Sequence, residues 1–308
     1  MNELDIARHS RYVDPQLHVW GWEIPVYLFL GGMAAGAMIL TALMAARPER
    51  SRVARWLPFA APVLVSIGMG ALFLDLANKL HVFRFYLAFR WTSPMSWGAW
   101  ILVVVYPVTI LQGLASLADD QAGWLAGRAG PLAGLVRAGR AFALPRERAL
   151  RAWAVATGIG LGVYTGILLS TLGARALWGS ALLGPLFLVS GLSTGAALLM
   201  LFRVTPDERS FLARWDLLAI GTEVVLLVLL LVGLASGDAQ SRGAADLLLG
   251  GRFTAQFWAL VVIAGLAVPA GLELLETRLH LRATWVAPAL VLVGGLSLRW
   301  IFVAAGQL

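Results

Sequence analysis

A row of long apolar runs constrains this chain more than any other feature. Eight runs, at roughly 23–46, 57–77, 96–118, 150–170, 181–202, 213–236, 255–275 and 284–305, carry few charges. A helix needs about 20 apolar residues to cross ~30 Å of hydrocarbon. No apolar–polar alternation competes, so strands are not expected. The pattern predicts an all-α integral membrane protein with eight transmembrane helices. Composition supports this, with 59% hydrophobic and 13% charged residues in a chain of 308. Soluble domains run near ~45–50% apolar and ~25% charged. A soluble enzyme, a disordered tail and a nucleic-acid module are excluded.

The net charge of +7 resides mostly in arginines between the runs. One set of loops holds Arg47, Arg50, Arg52 and Arg55; Arg128, Arg137, Arg140, Arg146, Arg148 and Arg151; Arg203, Arg209 and Arg214; and Arg278 and Arg282. The opposite side holds fewer: Arg8, Arg11, Lys79, Arg84, Arg90, Arg175, Arg242 and Arg252. The excess of Lys and Arg marks the cytoplasmic side. Both termini are then extracytoplasmic, in a bacterial or archaeal cytoplasmic (inner) membrane. Residues 1–22 mix Glu3, Asp5, Arg8, Arg11 and Asp14. They lack the layout of a signal peptide and form an extracytoplasmic segment. The glycine-containing stretch 119–149 is expected to be a partly helical connector on the anionic headgroups.

The chain also echoes itself. Gly32-x-x-x-Gly36-Ala37 in the first run matches Gly191-x-x-x-Gly195-Ala196 in the fifth. Ala54-Arg55-Trp56 matches Ala213-Arg214-Trp215 at the same offset. Two four-helix bundles follow, 23–170 (including the connector) and 171–308. With four spans each, they would be related as a parallel repeat.

Cysteine is absent, and none of the four histidines lies in the middle of a run. The chain is therefore expected to hold no haem, no metal and no iron–sulfur cluster. Any redox role must use a diffusible cofactor or partner subunits. Two groups of polar residues remain. One gathers at the outer mouth of the first four spans: His18, Trp20, Trp22, Glu23, Asp75, Asn78, Lys79, Arg84, Ser93, Ser96, Trp97 and Tyr164. Much of it reads equally as an aromatic belt with snorkelling cations. Asp75 stands out within Leu72-Phe73-Leu74-Asp75-Leu76, although Lys79 at i+4 offers a helix-end ion pair. The other group lies deeper: Asp216, Glu223, Glu273, Glu276 and Arg299. It reads either as interhelical ion pairing or as a proton path from the cytoplasm.

Trp22-Glu23-Ile24-Pro25-Val26-Tyr27-Leu28-Phe29-Leu30-Gly31-Gly32 resembles the first helix of the NrfD/polysulfide reductase membrane-subunit family. Leu72-Phe73-Leu74-Asp75-Leu76, Arg84-Phe85-Tyr86, Ser93-Pro94-Met95-Ser96-Trp97-Gly98-Ala99-Trp100 and Arg299-Trp300-Ile301 extend the resemblance along the chain. It implies a quinone-reactive anchor exchanging electrons with menaquinone or ubiquinone. The implied partners are a four-cluster ferredoxin-like iron–sulfur subunit and a molybdopterin catalytic subunit. His18, Asp75 and Tyr164 match the family's quinone-site pattern. Lys79, Arg84, Ser93, Ser96 and Trp97 complete the polar wall. Donors are needed at the quinone carbonyls, and Asp75 would pass protons to water. The isoprenoid tail is expected to use the Gly/Ala face of the first helix. The partner is expected to dock over 1–22 and 78–95. The competing reading is an eight-helix transporter or proton channel without redox role.

Overall fold

The computed structural model describes residues 20–76, 79–81, 83–87, 89–171, 175–279 and 284–308. Among these, eight helices are long and apolar enough to cross a membrane. They are α1 (Glu23–Met44), α2 (Leu57–Asp75), α3 (Pro94–Ser116), α4 (Glu147–Ser170), α5 (Leu183–Met200), α6 (Pro206–Ala235), α7 (Thr254–Arg278) and α8 (Val286–Gly306). No strand occurs among the described residues.

Boundaries differ from the apolar reading most at α6, which starts at Pro206 rather than near 213. The reason is local. Thr205 is the N-cap, its hydroxyl accepting from Glu208 N, while the Glu208 carboxylate accepts in return from Thr205 N at 2.8 Å. This reciprocal box satisfies two free helix-end donors, with Pro206 in the first turn. Hydropathy alone passes over so polar a turn. The connector is helical over Asp119–Arg128 and Ala133–Ala143, with Gly130 between them at φ 54°. A left-handed φ favours glycine.

The helices pack in order. α1 meets α2, α2 meets α3, α3 meets α4 and α4 returns to α1. Likewise α5 meets α6, α6 meets α7, α7 meets α8 and α8 returns to α5. Between these rings the main contacts among the described residues are α1 on α5, α4 on α5 and α1 on α8. The α1–α5 crossing is especially close. A Cβ on Gly191 would sit 2.6 Å from Gly32 O, and one on Gly195 would sit 2.6 Å from Ala37 N. Membrane helices lack a hydrophobic drive toward each other, so close backbone approach supplies dispersion instead. The glycine face of α1 is thereby filled by α5. It is not the lipid-tail slot expected from sequence.

α7 departs from α-helical geometry. Residues Phe257–Ala267 form a π-helix, followed by Val268–Leu279 in α-form. Pro269 has no N–H to return to the Gly265 carbonyl. Gly265 in turn lies backbone-to-backbone on Gly294 of α8.

At the arginine-rich end, loop charges are tied down. Arg140 donates to Asp119 Oδ1 at 2.8 Å, Arg52 pairs with Asp120, and Glu208 Oε1 accepts from Ser51 N at 2.7 Å. Gly191→Leu is expected to abolish the α1–α5 crossing and prevent recovery of a monodisperse protein. Gly233→Ala, where a Cβ meets nothing within 4 Å, is expected to raise thermal stability by about 0.5–1 kcal/mol. Detergent melting curves of the two variants check both.

Candidate functional site

A cavity of about 500 Å³ lies where α1 and α3 begin and α2 and α4 end. Its walls are mostly apolar: Ile24, Leu28, Met69, Phe73, Met95 and Leu102 among them. Asp75, Tyr27, Tyr86 and Tyr164 interrupt that lining, with Thr171 at its edge, where its hydroxyl donates to Leu168 O. An apolar cleft of ~300–1,000 Å³ with a few convergent polar groups is the usual form of a small-molecule site.

Asp75 is the last residue of its helix, half-buried, with Leu76 already extended at ψ 123°. That break ends the i, i+4 register. Lys79 stands exposed in a separate turn, and no salt bridge joins it to Asp75 among the described residues. Glu23 is close enough to act electrostatically on Asp75. Tyr164 is 6% exposed on α4 and Tyr27 is 4% exposed on α1, and both line the cavity. Tyr86 sits in the short helix Arg84–Leu87. Burial, with a smaller contribution from Tyr106, pushes its phenol above the ordinary value. It stays a neutral donor at physiological pH.

The remaining polar residues expected here sit elsewhere. Ser96 Oγ accepts from Arg90 N at 3.0 Å, and the Trp97 indole N–H donates to Trp91 O at 2.9 Å. These bonds shape the turn that leads into α3. Ser93, Ser96, Trp97 and Lys79 are not among the lining residues. His18, Asn78 and the Arg84 side chain lie outside the described residues. Trp20 does line the cavity, and its ring packs on Trp178 with centroids 5.1 Å apart. Gln307 clamps it by accepting from Trp20 N at 3.0 Å and donating to Trp20 O at 3.2 Å. Sequence reasoning missed Tyr27, Tyr86 and this clamp. Tyr27 was within reach, since it follows Glu23 by one helical turn on the same face.

The deeper polar residues converge. Arg299 is 0% exposed. It donates to Ser190 Oγ, to Phe187 O at 3.2 Å and to Gly295 O at 3.1 Å, and its guanidinium lies 5.1 Å over the Phe187 ring. Glu223 shares a small void with Ser190 and feels the charge of Arg299. Asp216 Oδ1 accepts from Ser193 Oγ at 2.5 Å, and its carboxyl contacts that of Glu273. A void of about 10 Å³ touches Ser190, Ser193, Thr194 and Glu223. That is close to the space one water needs. Towards the arginine-rich end, Glu276 lies 3.5 Å from Arg209 and accepts from Thr284 N at 2.8 Å. Two buried carboxyls in contact can share a proton, which gives this part of the molecule a group able to take one up and release it.

Fold and site define a polytopic membrane protein with an apolar cavity at one end of its first four helices and buried ionisable groups among its last four. The protein belongs to the NrfD family: the family model described as "Polysulphide reductase, NrfD" matches residues 12–308. It is 33% identical to Protein NrfD of Escherichia coli (strain K12), over 94% of this sequence and 95% of that one. It is 30% identical to the C subunit of polysulfide reductase from Wolinella succinogenes, over 94% of each. A Protein NrfD homolog of Haemophilus influenzae is 26% identical over 94% of this sequence and 95% of its own.

Arg299→Met removes the bonds to Ser190, Phe187 and Gly295 together with the charge that acts on Glu223. It is expected to destabilise by about 3–5 kcal/mol. Adding Glu223→Gln is expected to recover part of that loss. Thermal unfolding of the single and double variants in one detergent checks the coupling.

Proposed function

We propose that this protein is the quinone-reactive membrane subunit of a respiratory oxidoreductase. It exchanges electrons between a menaquinol or ubiquinol pool and an iron–sulfur partner that serves a molybdopterin-type catalytic subunit. The observation that carries this reading is the apolar cavity with Asp75, Tyr27, Tyr86 and Tyr164 on its wall. Its volume suits a quinone head group, its phenols suit the two carbonyls, and Asp75 at the helix end suits proton exchange with water. His18 is assigned to the same mouth, with Lys79, Arg84, Ser93, Ser96 and Trp97 on its rim. The names of the relatives, one of them a polysulfide reductase subunit, support a reductase complex.

The partner is assigned to the cavity end. Leu80, Phe83, Leu87, Trp91 and Met95 stand exposed there. A contiguous exposed apolar patch marks a protein or membrane contact. Membership of a complex supplies the electron carrier that a protein without cysteine lacks. We read the arginine-rich end as cytoplasmic and both termini as extracytoplasmic, by the charge bias of the loops. We also read the sequence as two parallel repeats, 23–170 and 171–308. Exchanging α1 with α5 and α4 with α8 maps the α4–α5 contact onto the α8–α1 contact.

A second activity draws on Asp216, Glu223, Glu273 and Arg299: proton transfer through the second half. The contact between the Asp216 and Glu273 carboxyls supports it.

Quinol turnover by the natively purified complex tests the main reading. Asp75→Asn is expected to slow it by about 10²-fold, with co-purifying iron and molybdenum unchanged. Undiminished turnover would overturn the role of Asp75. Reconstituted vesicles test the second activity. Glu273→Gln is expected to lower the proton-to-electron ratio while turnover persists, and an unchanged ratio sinks it. A solute flux abolished by Glu223→Gln, with quinol turnover intact, would favour an eight-helix transporter instead.

A further inference from the structure

Trp20 lines the cavity of the first four helices, yet the groups that hold it lie in the other half of the chain. It stands ahead of α1, outside the helical ladder that begins at Glu23. Gln307, the C-cap of α8, comes 287 residues later. A glutamine side chain offers the same acceptor and donor as a peptide unit. Here the amide meets both backbone groups of Trp20. Its Oε1 accepts from Trp20 N at 3.0 Å, and its Nε2 donates to Trp20 O at 3.2 Å. Nε2 also donates to Val303 O at 3.3 Å, one turn back on α8. The amide is thus tied to α8, and the Trp20 backbone is tied to the amide. Gln307 is 7% exposed, so little water competes for these bonds.

The Trp20 ring has a separate hold. It packs on Trp178, with centroids 5.1 Å apart and planes inclined by 33°. Trp178 is itself buried, and its indole N–H donates to Phe302 O at 2.8 Å. A Cβ on Gly306 would overlap that indole, so any side chain at position 306 would displace it. Backbone and ring of Trp20 are therefore both held by the end of α8, from Phe302 to Gln307. A wall ordered before the ligand arrives spares the ligand the cost of ordering it.

We propose that Gln307 is a positioning residue: acting through Trp20, it fixes the indole as a preformed face of the cavity for the planar ring of the quinone head group. This rests on the quinone reading above. The second half of the molecule then shapes a site built by the first, and Trp178 is the second support of the same wall.

The test uses the natively purified complex in lipid nanodiscs. The probe is 2-heptyl-4-hydroxyquinoline N-oxide, a planar ring with a polar oxygen pair and an alkyl tail, followed by fluorescence quenching. Gln307→Met keeps the length of the side chain and removes the amide. It is expected to weaken probe binding by about twofold to tenfold, the cost of ordering one side chain on binding. Trp20→Ala is expected to do at least as much. The double variant is expected to match Trp20→Ala alone, because Gln307 acts only through Trp20. Steady-state turnover supplies a readout that a merely structural role would not move: KM for quinol rises in Gln307→Met while kcat holds within about twofold. A Gln307→Met complex that binds the probe as tightly as the parent overturns the role of Gln307 and leaves the quinone reading standing. Additive losses in the double variant overturn the action through Trp20. Where Gln307→Met yields no intact complex, Trp178→Phe decides in its place. It keeps a ring against Trp20 but loses the bond to Phe302 O, and parental binding there overturns the hold of α8 on the wall. A parent complex that does not bind the probe sinks the quinone reading, and this inference with it.

Discussion

The crossing of α1 and α5 brings two backbones together with no side chain between them, at Gly32 and Gly36 on one helix and Gly191 and Gly195 on the other. Lipid tails are as apolar as leucine, so helices inside a bilayer gain little from hiding apolar surface. Dispersion between close backbones and a few buried polar bonds must hold them instead. The crossing sets the spacing of everything attached to α1. α2 and α4 lean on it to form the cavity, while α8 reaches it from the second half. It also places Gly32 beside the Arg299 guanidinium, 3.2 Å from where its Cβ would stand. A side chain at Gly32 would crowd the fully buried Arg299.

Much of this was legible in the sequence. Eight spans follow from run length, because crossing hydrocarbon imposes a single length scale on every helix. The paired Gly-x-x-x-Gly-Ala motifs were visible, and they prove to meet each other. What they pack against was not legible. A small-residue face suits a lipid tail and a second helix equally, and only three-dimensional contact decides. The start of α6 was missed because Pro206, Asp207 and Glu208 are polar, and the capping box speaks through hydrogen bonds rather than hydropathy.

The site divides in the same way. Asp75 drew notice as a carboxylate among leucines, and it lines the cavity. Tyr164 was placed by helix position and lines it too. Ser96 and Trp97 sit in the most distinctive segment of the sequence, yet their side chains bond to the turn at Arg90 and Trp91. A distinctive segment can specify a turn as readily as a ligand. Tyr27 went unnoticed because a tyrosine near a membrane boundary has an ordinary explanation. Tyr164, on the same cavity wall, lies on α4, and no spacing in the sequence announces that the two come together.

The two polar regions differ in what they can exchange. The cavity sits at the ends of four helices. The buried groups of the second half run from Glu276 and Arg209 toward Arg299. Arg299 is a poor proton carrier, because a guanidinium keeps its charge in proteins. On the proposed function, then, Arg299 serves the proton path as a fixed charge beside Glu223 and does not itself hand a proton on to the quinone. Any coupling between the halves has to act through the α1–α5–α8 junction, where Arg299 is bonded to the carbonyls of Phe187 and Gly295 and pressed against Gly32. Glu223 acts electrostatically on Arg299, whose guanidinium lies opposite Gly32 of α1. Trp20, on the cavity wall, is clamped by Gln307 at the end of that same α8.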